Sequence, residues 1–500
     1  MRVSRDSLFA EATDQVERKA FRGGVFMLGG QAARMLLQLG STAALARLLS
    51  PREFGIFGMT TVLVGFVTLI NDLGLNQATV QRAKLNERQV STLFWVNLGF
   101  SVAASLLVAA CAPLMVRIFR EPQLLGFTLA LTPVLLISGL GAQHGALLSR
   151  QLRFKTLTFL ELIPFALGIA TAVALAALGA GVWALVAQQL VTAVLRTGLI
   201  LLLVPWLPRR PHFGDEEREM LRFGGNISAF RVINYLARNL DNALIGWYWD
   251  AATLAIYTRA YALFMAPMSQ LIPAVRTVVE TSLARVQHDE ERFATLYKRS
   301  EEAAAWLIFP VAVFVAVAAP SVVGLVLGPQ WTAVVDVLRL LSLASLVQPV
   351  LNSAGWLLAA KGRADLLTRW GALFSLCSCI SFGVAVPFGN VGMALAVAGI
   401  RLVFAPIWLK VAMRGTGLTL KAWAWELRLP TVASGVGAAA TYLVQRALIG
   451  RPALLQVVAG GVAMYACVLA VLLLSGHAAT VRNLLLRRQS ASEAPQQPAQ

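Results

Sequence analysis

The stretch FGGNISAFRVINYLARNLDNALIGWYW, residues 223–249, is long enough to cross a bilayer at about 1.5 Å of rise per residue. Most of its residues are apolar, but Arg231, Asn234, Arg238 and Asp241 interrupt it at spacings of three, four and three. At about 100° per residue, these four side chains fall within an arc of about 80° on one helix face. Charges in a membrane span cost on the order of 2.5–3.5 kcal/mol each. A polar face on an apolar span therefore indicates a cavity or a packed helix interface.

The composition of the whole chain is that of a membrane protein. Of its 500 residues, 57% are hydrophobic and 14% are charged, and the mean hydropathy is +0.68. A soluble domain carries nearer a quarter of charged residues. The net charge of +18 does not indicate nucleic-acid binding, because the basic residues are spread over the connections between apolar runs. The sequence shows no metal-ligand spacing, disulfide framework or cofactor motif, so we expect no metal and no cofactor.

The apolar runs predict an all-α integral membrane protein with about fourteen transmembrane helices. Most of the 43 basic residues fall in connections on one side, and the positive-inside rule therefore places both termini in the cytoplasm. No connection is long enough for a soluble catalytic domain, so the sequence does not predict an enzyme. The predicted spans are 23–46, 54–78, 91–113, 124–146, 157–178, 182–204, 223–248, 252–275, 303–327, 331–357, 366–387, 391–413, 430–449 and 453–475.

The chain also contains an internal repeat of six spans. A shift of 200 residues places Arg22 on Arg222, and a shift of 210 places Arg153 on Arg363. An even-numbered unit predicts two parallel, pseudo-symmetric lobes with substrate bound between them. The predicted divisions are a cytoplasmic segment (1–22), an N-lobe (23–205), a cytoplasmic linker (206–222), a C-lobe (223–413), two extra C-terminal helices (430–475) and a disordered cytoplasmic tail (476–500).

The first predicted span has a polar face of its own. Gln31, Arg34, Gln38 and Ser41 follow the same three, four, three spacing, and the shift of 200 superimposes them on the four polar residues of the opening stretch. These eight residues are the candidate substrate-binding set of a central cavity. The alternative is that they hold packed helices together by hydrogen bonds. Asp241 has a further alternative, because it lies three residues from Arg238 and is placed to pair with it.

Two acidic residues are candidates for ion coupling. Asp72 lies near the inner end of span two, where a helix-end or interfacial role is the simpler interpretation. Glu161 lies one turn into span five, either at the interface or as a buried carboxylate that binds a coupling proton. Arg196, Arg339 and Arg401 also lie within spans, and each either lines a cavity or extends its charged end to the interface.

Six stretches of the sequence resemble the Wzx-type polysaccharide exporters. The resemblance covers roughly residues 20–480. It implies the fold of the superfamily that includes peptidoglycan-lipid flippases and multidrug extruders, with fourteen spans, two lobes and a V-shaped cavity working by alternating access. The six stretches are LARLLSPREFGIFGM (45–59), NDLGLNQATVQR (71–82), LLSRQLRFKTLTFLE (147–161), GVWALVAQQL (181–190), RNLDNALIG (238–246) and AIYTRAYALFMAP (255–267).

The resemblance also implies a substrate and a location. The substrate is a repeat-unit oligosaccharide on a polyprenyl diphosphate, turned across the bacterial inner membrane for exopolysaccharide, capsule or lipopolysaccharide O-antigen synthesis. Polysaccharide polymerase and export proteins are further implied partners. In such flippases cationic cavity residues are expected to hold the diphosphate, and Arg34 and Arg238 match that role best.

Other classes of function stay open as alternatives. A cation-coupled multidrug or small-molecule exporter of the same superfamily would need acidic groups at the cavity centre, where this chain is mainly basic. A membrane-embedded polymerase or ligase of the same sugars is expected to carry a sizeable outer loop, and the sequence predicts none. A scaffold without transport would not need two matching polar faces.

Overall fold

The computed structural model describes residues 16–71, 75–82, 85–286, 289–414, 416 and 418–475. Within these ranges the chain consists of helices and short connections, and no residue lies in a β-strand. The predictions made for Asp72, for the first fifteen residues and for the tail lie outside them. The chain divides into two compact units, Met1–Ala255 with Val326–Gln330, and Ile256–Leu325 with Trp331–Gln500.

The helices of the first unit are α1 Val16–Leu48, α2 Pro51–Asn71, α3 Leu75–Gln81, α4 Glu87–Phe119, α5 Leu124–Arg150, α6 Phe154–Ala177, α7 Val182–Leu203 and α8 Asp215–Tyr248. Helix α4 packs on α5, α6 packs on α7, and α1 packs on α6, while α8 contacts α2, α3 and α4. A capping box begins α4: the Asn86 side chain accepts from the Gln89 backbone N–H, and the Gln89 side chain accepts from the Asn86 backbone N–H.

The helices that follow are α9 Ala251–Arg285, whose first five residues belong to the first unit, α10 Glu290–Val317, α11 Ala319–Val326, α12 Val334–Ala344, α13 Gln348–Ala360, α14 Ala364–Ala385, α15 Gly389–Ala412, α16 Leu420–Glu426, α17 Arg428–Ala447 and α18 Ala453–Leu474. In the second unit, α17 and α18 pack on each other and on the long helix α10, while α15 contacts α12, α13 and α14. Short 3₁₀ turns at Pro329–Trp331, Ser345–Val347 and Val386–Phe388 separate some of the helices.

The described residues contain eight helical stretches that are long and apolar enough to cross a membrane. Large apolar side chains also face outward from these helices; Leu106 is 65% exposed and Leu474 is 89% exposed. A water-soluble surface would not carry so many, whereas a lipid-facing one does. The chain is therefore an all-helical, multi-pass membrane protein. The stretches are Glu87–Phe119, Leu124–Arg150, Phe154–Ala177, Val182–Leu203, Glu290–Val317, Val334–Ala360, Asp365–Ala412 and Ala453–Leu474.

Each of the fourteen predicted spans coincides with helical residues, and among the spans whose residues are all described, two are interrupted. The predicted span 303–327 breaks between α10 and α11, and 331–357 breaks between α12 and α13. Pro320 and Pro349 stand at the starts of the second helices, where a missing backbone N–H costs nothing. The count of fourteen crossings and the division into two six-helix lobes stay predictions.

The predicted linker 206–222 is docked on the first unit rather than extended. The indole of Trp206 is buried in the hydrophobic core, and the backbone carbonyl oxygen of Trp206 lies 3.1 Å from His144 Nε2. Thr92 Oγ1 donates to the His212 carbonyl and accepts from the His212 backbone N–H, both at 2.9 Å. Helix α8 then begins at Asp215, eight residues before the predicted start of its span. The linker backbone is thus hydrogen-bonded by side chains of α4.

Residues Leu75–Gln81 of the motif NDLGLNQATVQR form α3, and an arginine of a second motif binds the end of this helix. Arg150, from the LLSRQLRF stretch, donates to the carbonyl oxygens of Thr79 (3.3 Å) and Arg82. A guanidinium at a helix C-terminus satisfies carbonyl groups that have no partner within the helix. Thr79 also donates to Gln143 on α5, at 2.9 Å. Both motifs therefore have a structural role.

Candidate anion-binding site

The polar face predicted for the first span lies on α1. The side chains of Gln31, Arg34 and Gln38 are exposed, and Ser41, one turn further on, is buried. Residues three and four apart share a helix face, so the three exposed side chains form one polar strip. The strip is positioned by α6, on which α1 packs.

Glu161 of α6 lies between two guanidinium groups from two other helices. Arg34 Nη1 is 3.3 Å from Glu161 Oε2, and Arg196 Nη2, on α7, is 3.7 Å from Glu161 Oε1. The Arg34 guanidinium carbon also lies 5.4 Å from the ring centroid of Phe165, one turn after Glu161. We call Arg34, Glu161 and Arg196 the Arg–Glu–Arg cluster. It joins α1, α6 and α7 within the first unit.

The cluster is accessible and carries an excess of positive charge. Its side chains are 54% exposed for Arg34, 44% for Glu161 and 54% for Arg196. Two arginines against one carboxylate leave a net charge of about +1, because guanidinium groups stay protonated in proteins. Each carboxylate oxygen of Glu161 contacts only one arginine, so most of the ten guanidinium N–H donors of Arg34 and Arg196 are not used within the cluster. Such an arrangement can receive a second anion, since arginine N–H pairs match phosphate and carboxylate oxygens.

Sequence reasoning named Arg34 and Glu161 separately and did not join them to each other or to Arg196. Arg34 and Glu161 are 127 residues apart in the chain. From the sequence, Glu161 is either interfacial or a coupling carboxylate, and Arg196 either lines a cavity or extends its charged end to the interface. The only signal in the sequence was that all three charges fall within predicted spans, which shows that they need partners but not which ones.

The second polar face, on α8, is described only in part. The helix backbone is continuous from Asp215 to Tyr248, but the side chains of Arg231, Asn234 and Arg238 lie outside the described residues. Asp241 is buried, and its Oδ1 accepts from the backbone N–H of Asn242 at 2.8 Å. The pairing of Asp241 with Arg238 and the substrate contacts of this face stay predictions.

Of the remaining arginines within predicted spans, Arg339 pairs with a residue of its own helix. Its Nη1 lies 3.4 Å from Asp336 Oδ1, one turn away on α12, and both side chains are exposed. Among the described residues no three His, Cys, Asp or Glu side chains are grouped to hold a metal ion. The Arg–Glu–Arg cluster is thus the ionic group that best suits an anionic ligand.

The second unit holds a contrasting pair of acidic side chains, Glu301 and Glu302 on α10. They are 1% and 4% exposed. Glu301 Oε2 accepts from the indole N–H of Trp423, and Glu302 Oε1 accepts from that of Trp306, each at 3.2 Å. We call Glu301 and Glu302 the buried acid pair.

The fold is that of a helical membrane protein with an accessible, basic Arg–Glu–Arg cluster in its first unit, and comparison with known proteins gives the family. The profile of the family described as Polysaccharide biosynthesis protein matches residues 44–336. That range covers more than half of the chain, which therefore belongs to this family. It contains two members of the cluster, Glu161 and Arg196, whereas Arg34 lies before it.

Individual relatives cover about three quarters of the chain. The lipopolysaccharide biosynthesis protein WzxC of Escherichia coli K12 is 25% identical over 74% of this chain and 74% of its own length. The teichuronic acid biosynthesis protein TuaB of Bacillus subtilis 168 is 27% identical over 71% and 74%. The succinoglycan biosynthesis transport protein ExoT of Rhizobium meliloti 1021 is 25% identical over 76% and 74%.

Solved structures show the same fold at low sequence identity. The lipid II flippase MurJ matches with a TM-score of 0.70 and 11% identity, covering 94% of this chain and 99% of its own. An inward-facing multidrug transporter of the MATE family matches with a TM-score of 0.62 and 15% identity, covering 78% and 95%. The all-helical membrane fold expected from the sequence is confirmed, and it is similar to the folds of these two transporters.

Proposed function

We propose that the protein is a transporter that flips oligosaccharide repeat units, linked to polyprenyl diphosphate, across the bacterial inner membrane by alternating access. The observation that carries the proposal is the convergence of Arg34 and Arg196 on Glu161. Two of the three helices involved, α6 and α7, are apolar enough to span a membrane. A diphosphate needs several strong donors once it leaves water. Membership in the polysaccharide biosynthesis family supports an oligosaccharide as the group attached to the diphosphate.

In this mechanism the arginines change partners. Without substrate they are held by Glu161, which limits the cost of keeping two cations among apolar helices. An arriving diphosphate offers more oxygens and more charge, and takes over the free N–H donors of Arg34 and Arg196. Gln31 and Gln38, exposed on the same strip as Arg34, are placed to hydrogen-bond sugar hydroxyls.

The remaining predictions complete the proposal. Arg238 would contact the diphosphate from the second polar face, with Ser41, Arg231, Asn234 and Asp241 assisting. The lobes 23–205 and 223–413 would rock about the site, with both termini in the cytoplasm and the last two helices outside the repeat. Glu161, and Asp72 if it faces the cavity, would be the groups available for ion coupling. Polymerase and export proteins would take the product for exopolysaccharide, capsule or O-antigen synthesis.

The test compares a double variant of the cluster with a single variant of an arginine outside it. In R34Q/R196Q we expect transport of a fluorescent polyprenyl-diphosphate oligosaccharide in proteoliposomes to fall by about a hundredfold. Each charge-assisted contact contributes about 1.5–3 kcal/mol, or at least about tenfold. The matched control is R52Q, because Arg52 is equally exposed and pairs with Glu121 at 2.9 Å outside the cluster. Transport by R52Q should stay close to that of the unmodified protein.

Two results would contradict this function. Full transport by R34Q/R196Q at normal membrane levels would remove the arginines from the substrate path. Resistance to cationic drugs conferred on a sensitised strain, with no lipid-linked oligosaccharide transport, would favour the exporter of the multidrug class. The basic excess of the Arg–Glu–Arg cluster argues against that alternative, since a cationic drug would be repelled.

A further inference from the structure

The short helix α16, Leu420–Glu426, connects α15 to α17 and has two different faces. Toward the protein it places Trp423, whose indole N–H donates to Glu301, and it is followed by Leu427, which is buried against Ala305 and Phe309. Thr419 caps its start by accepting from the Ala422 backbone N–H at 3.3 Å. The helix is therefore firmly held on one side.

Its other face is basic, aromatic and exposed. Lys421 and Trp425 lie four residues apart on α16 and so share one side of the helix, and Arg428 is the first residue of α17. Trp425 is 63% exposed, and the central carbon of the Arg428 guanidinium lies 3.5 Å from its ring centroid. We call Lys421, Trp425 and Arg428 the Trp425 face. No carboxylate of the described residues pairs with either cation of this face.

The location of the Trp425 face points to the membrane surface. Helix α15 belongs to a stretch apolar enough to cross a membrane, and it ends at Ala412, eight residues before α16 begins. An exposed indole at the end of a membrane helix is typical of the headgroup region, because its ring is apolar and its N–H is polar. Two further exposed cations, Lys410 and Arg414, lie on either side of the C-terminal end of α15.

The positive charges of the Trp425 face favour an anionic lipid headgroup. An arginine stacked on an indole keeps the outer edge of its guanidinium free, and that edge binds two phosphate oxygens at once. Lys421, one turn away, adds a second positive charge. Glu426 is the one acidic residue between Leu418 and Arg428, so the local charge is positive. A negatively charged lipid is attracted to such a surface, and a zwitterionic one is not.

We propose that the Trp425 face binds the phosphate of an anionic phospholipid in the leaflet at this end of the helices, the cytoplasmic leaflet in the predicted orientation. The bound lipid extends the hydrophobic surface beside the junction of α15 and α17. The site lies outside the Arg–Glu–Arg cluster and uses none of its residues. Its failure would leave the proposed transport function untouched.

The test is lipid titration of the full-length protein, released from detergent and followed by native mass spectrometry. Phosphatidylglycerol should bind more tightly than phosphatidylcholine with the same acyl chains. In K421Q/R428Q the affinity for phosphatidylglycerol should fall about 25-fold, or about fivefold for each charge removed. R428K keeps the charge but loses the planar guanidinium, and should show a smaller loss than R428Q.

The matched control is R446Q, at the other end of α17. Arg446 also lies over an aromatic ring, that of Tyr442 at 5.5 Å, so its loss removes a similar contact without touching the Trp425 face. Phosphatidylglycerol binding by R446Q should equal that of the unmodified protein. Equal affinity for the two lipids, or unchanged phosphatidylglycerol binding by K421Q/R428Q, would overturn the proposal. Displacement of the lipid by millimolar inorganic phosphate would replace it with a site for soluble anions.

Discussion

Two acidic sites, one in each unit, have opposite surroundings. In the first unit Glu161 is nearly half exposed and faces two arginines, with an excess of positive charge. In the second unit Glu301 and Glu302 are almost fully buried and accept hydrogen bonds from uncharged indoles. The first arrangement leaves guanidinium donors available for another anion, whereas the second buries its carboxylates against neutral donors. In this protein the surroundings of Glu161 therefore suit an anionic ligand better than those of Glu301 and Glu302.

The largest expected effect is on the free energy of unfolding, and it distinguishes Glu301 from Glu161. Replacing Glu301 by Ala should lower the free energy of unfolding by about 3 kcal/mol, because it leaves a cavity and a buried Trp423 N–H without an acceptor. Replacing Glu161 by Ala should change it by less than about 1 kcal/mol, since the site is open to solvent. Thermal unfolding of the two purified variants in the same detergent gives the comparison. A larger loss in E161A than in E301A would reverse the roles assigned to the two sites.

A smaller effect is expected on substrate affinity when Glu161 loses its charge. E161Q keeps the shape of the side chain but frees both arginines, so a polyprenyl diphosphate should bind about fivefold more tightly, or about 1 kcal/mol. Binding is measured with a fluorescent lipid diphosphate at two salt concentrations, and the gain should shrink at the higher one. The matched change in the buried acid pair, E301Q, should leave this affinity unchanged. Weaker binding by E161Q would mean that the carboxylate itself contacts the substrate.

The smallest effect concerns the aromatic ring under Arg34. F165L removes the cation–π contact but keeps an apolar side chain, and the loss should be about 0.5–1 kcal/mol, or roughly two- to fivefold in substrate affinity. Phe159, on the same helix, packs near Phe26 with ring centroids 5.7 Å apart, and F159L is the control. Equal effects of the two changes would show that Phe165 acts through packing alone.

Much of the fold followed from local patterns. Runs of apolar residues located the helices, because a bilayer requires about twenty such residues in succession. They did not locate the breaks between α10 and α11 or between α12 and α13, although Pro320 and Pro349 mark them. The docking of Trp206 was also missed, since a linker rich in proline and arginine gives no sign of the partner that covers it.

The sequence by itself determined the class of membrane protein and the polar strip of α1, and it named Arg34 as a candidate site residue. Helical spacing and the cost of charge in a membrane are local properties and can be read from a single stretch. Only the tertiary structure decided that Arg34 meets Glu161 and Arg196, or that Glu301 meets Trp423. These contacts join helices far apart in the chain, and helix packing, which depends on side-chain shape across several helices, sets them.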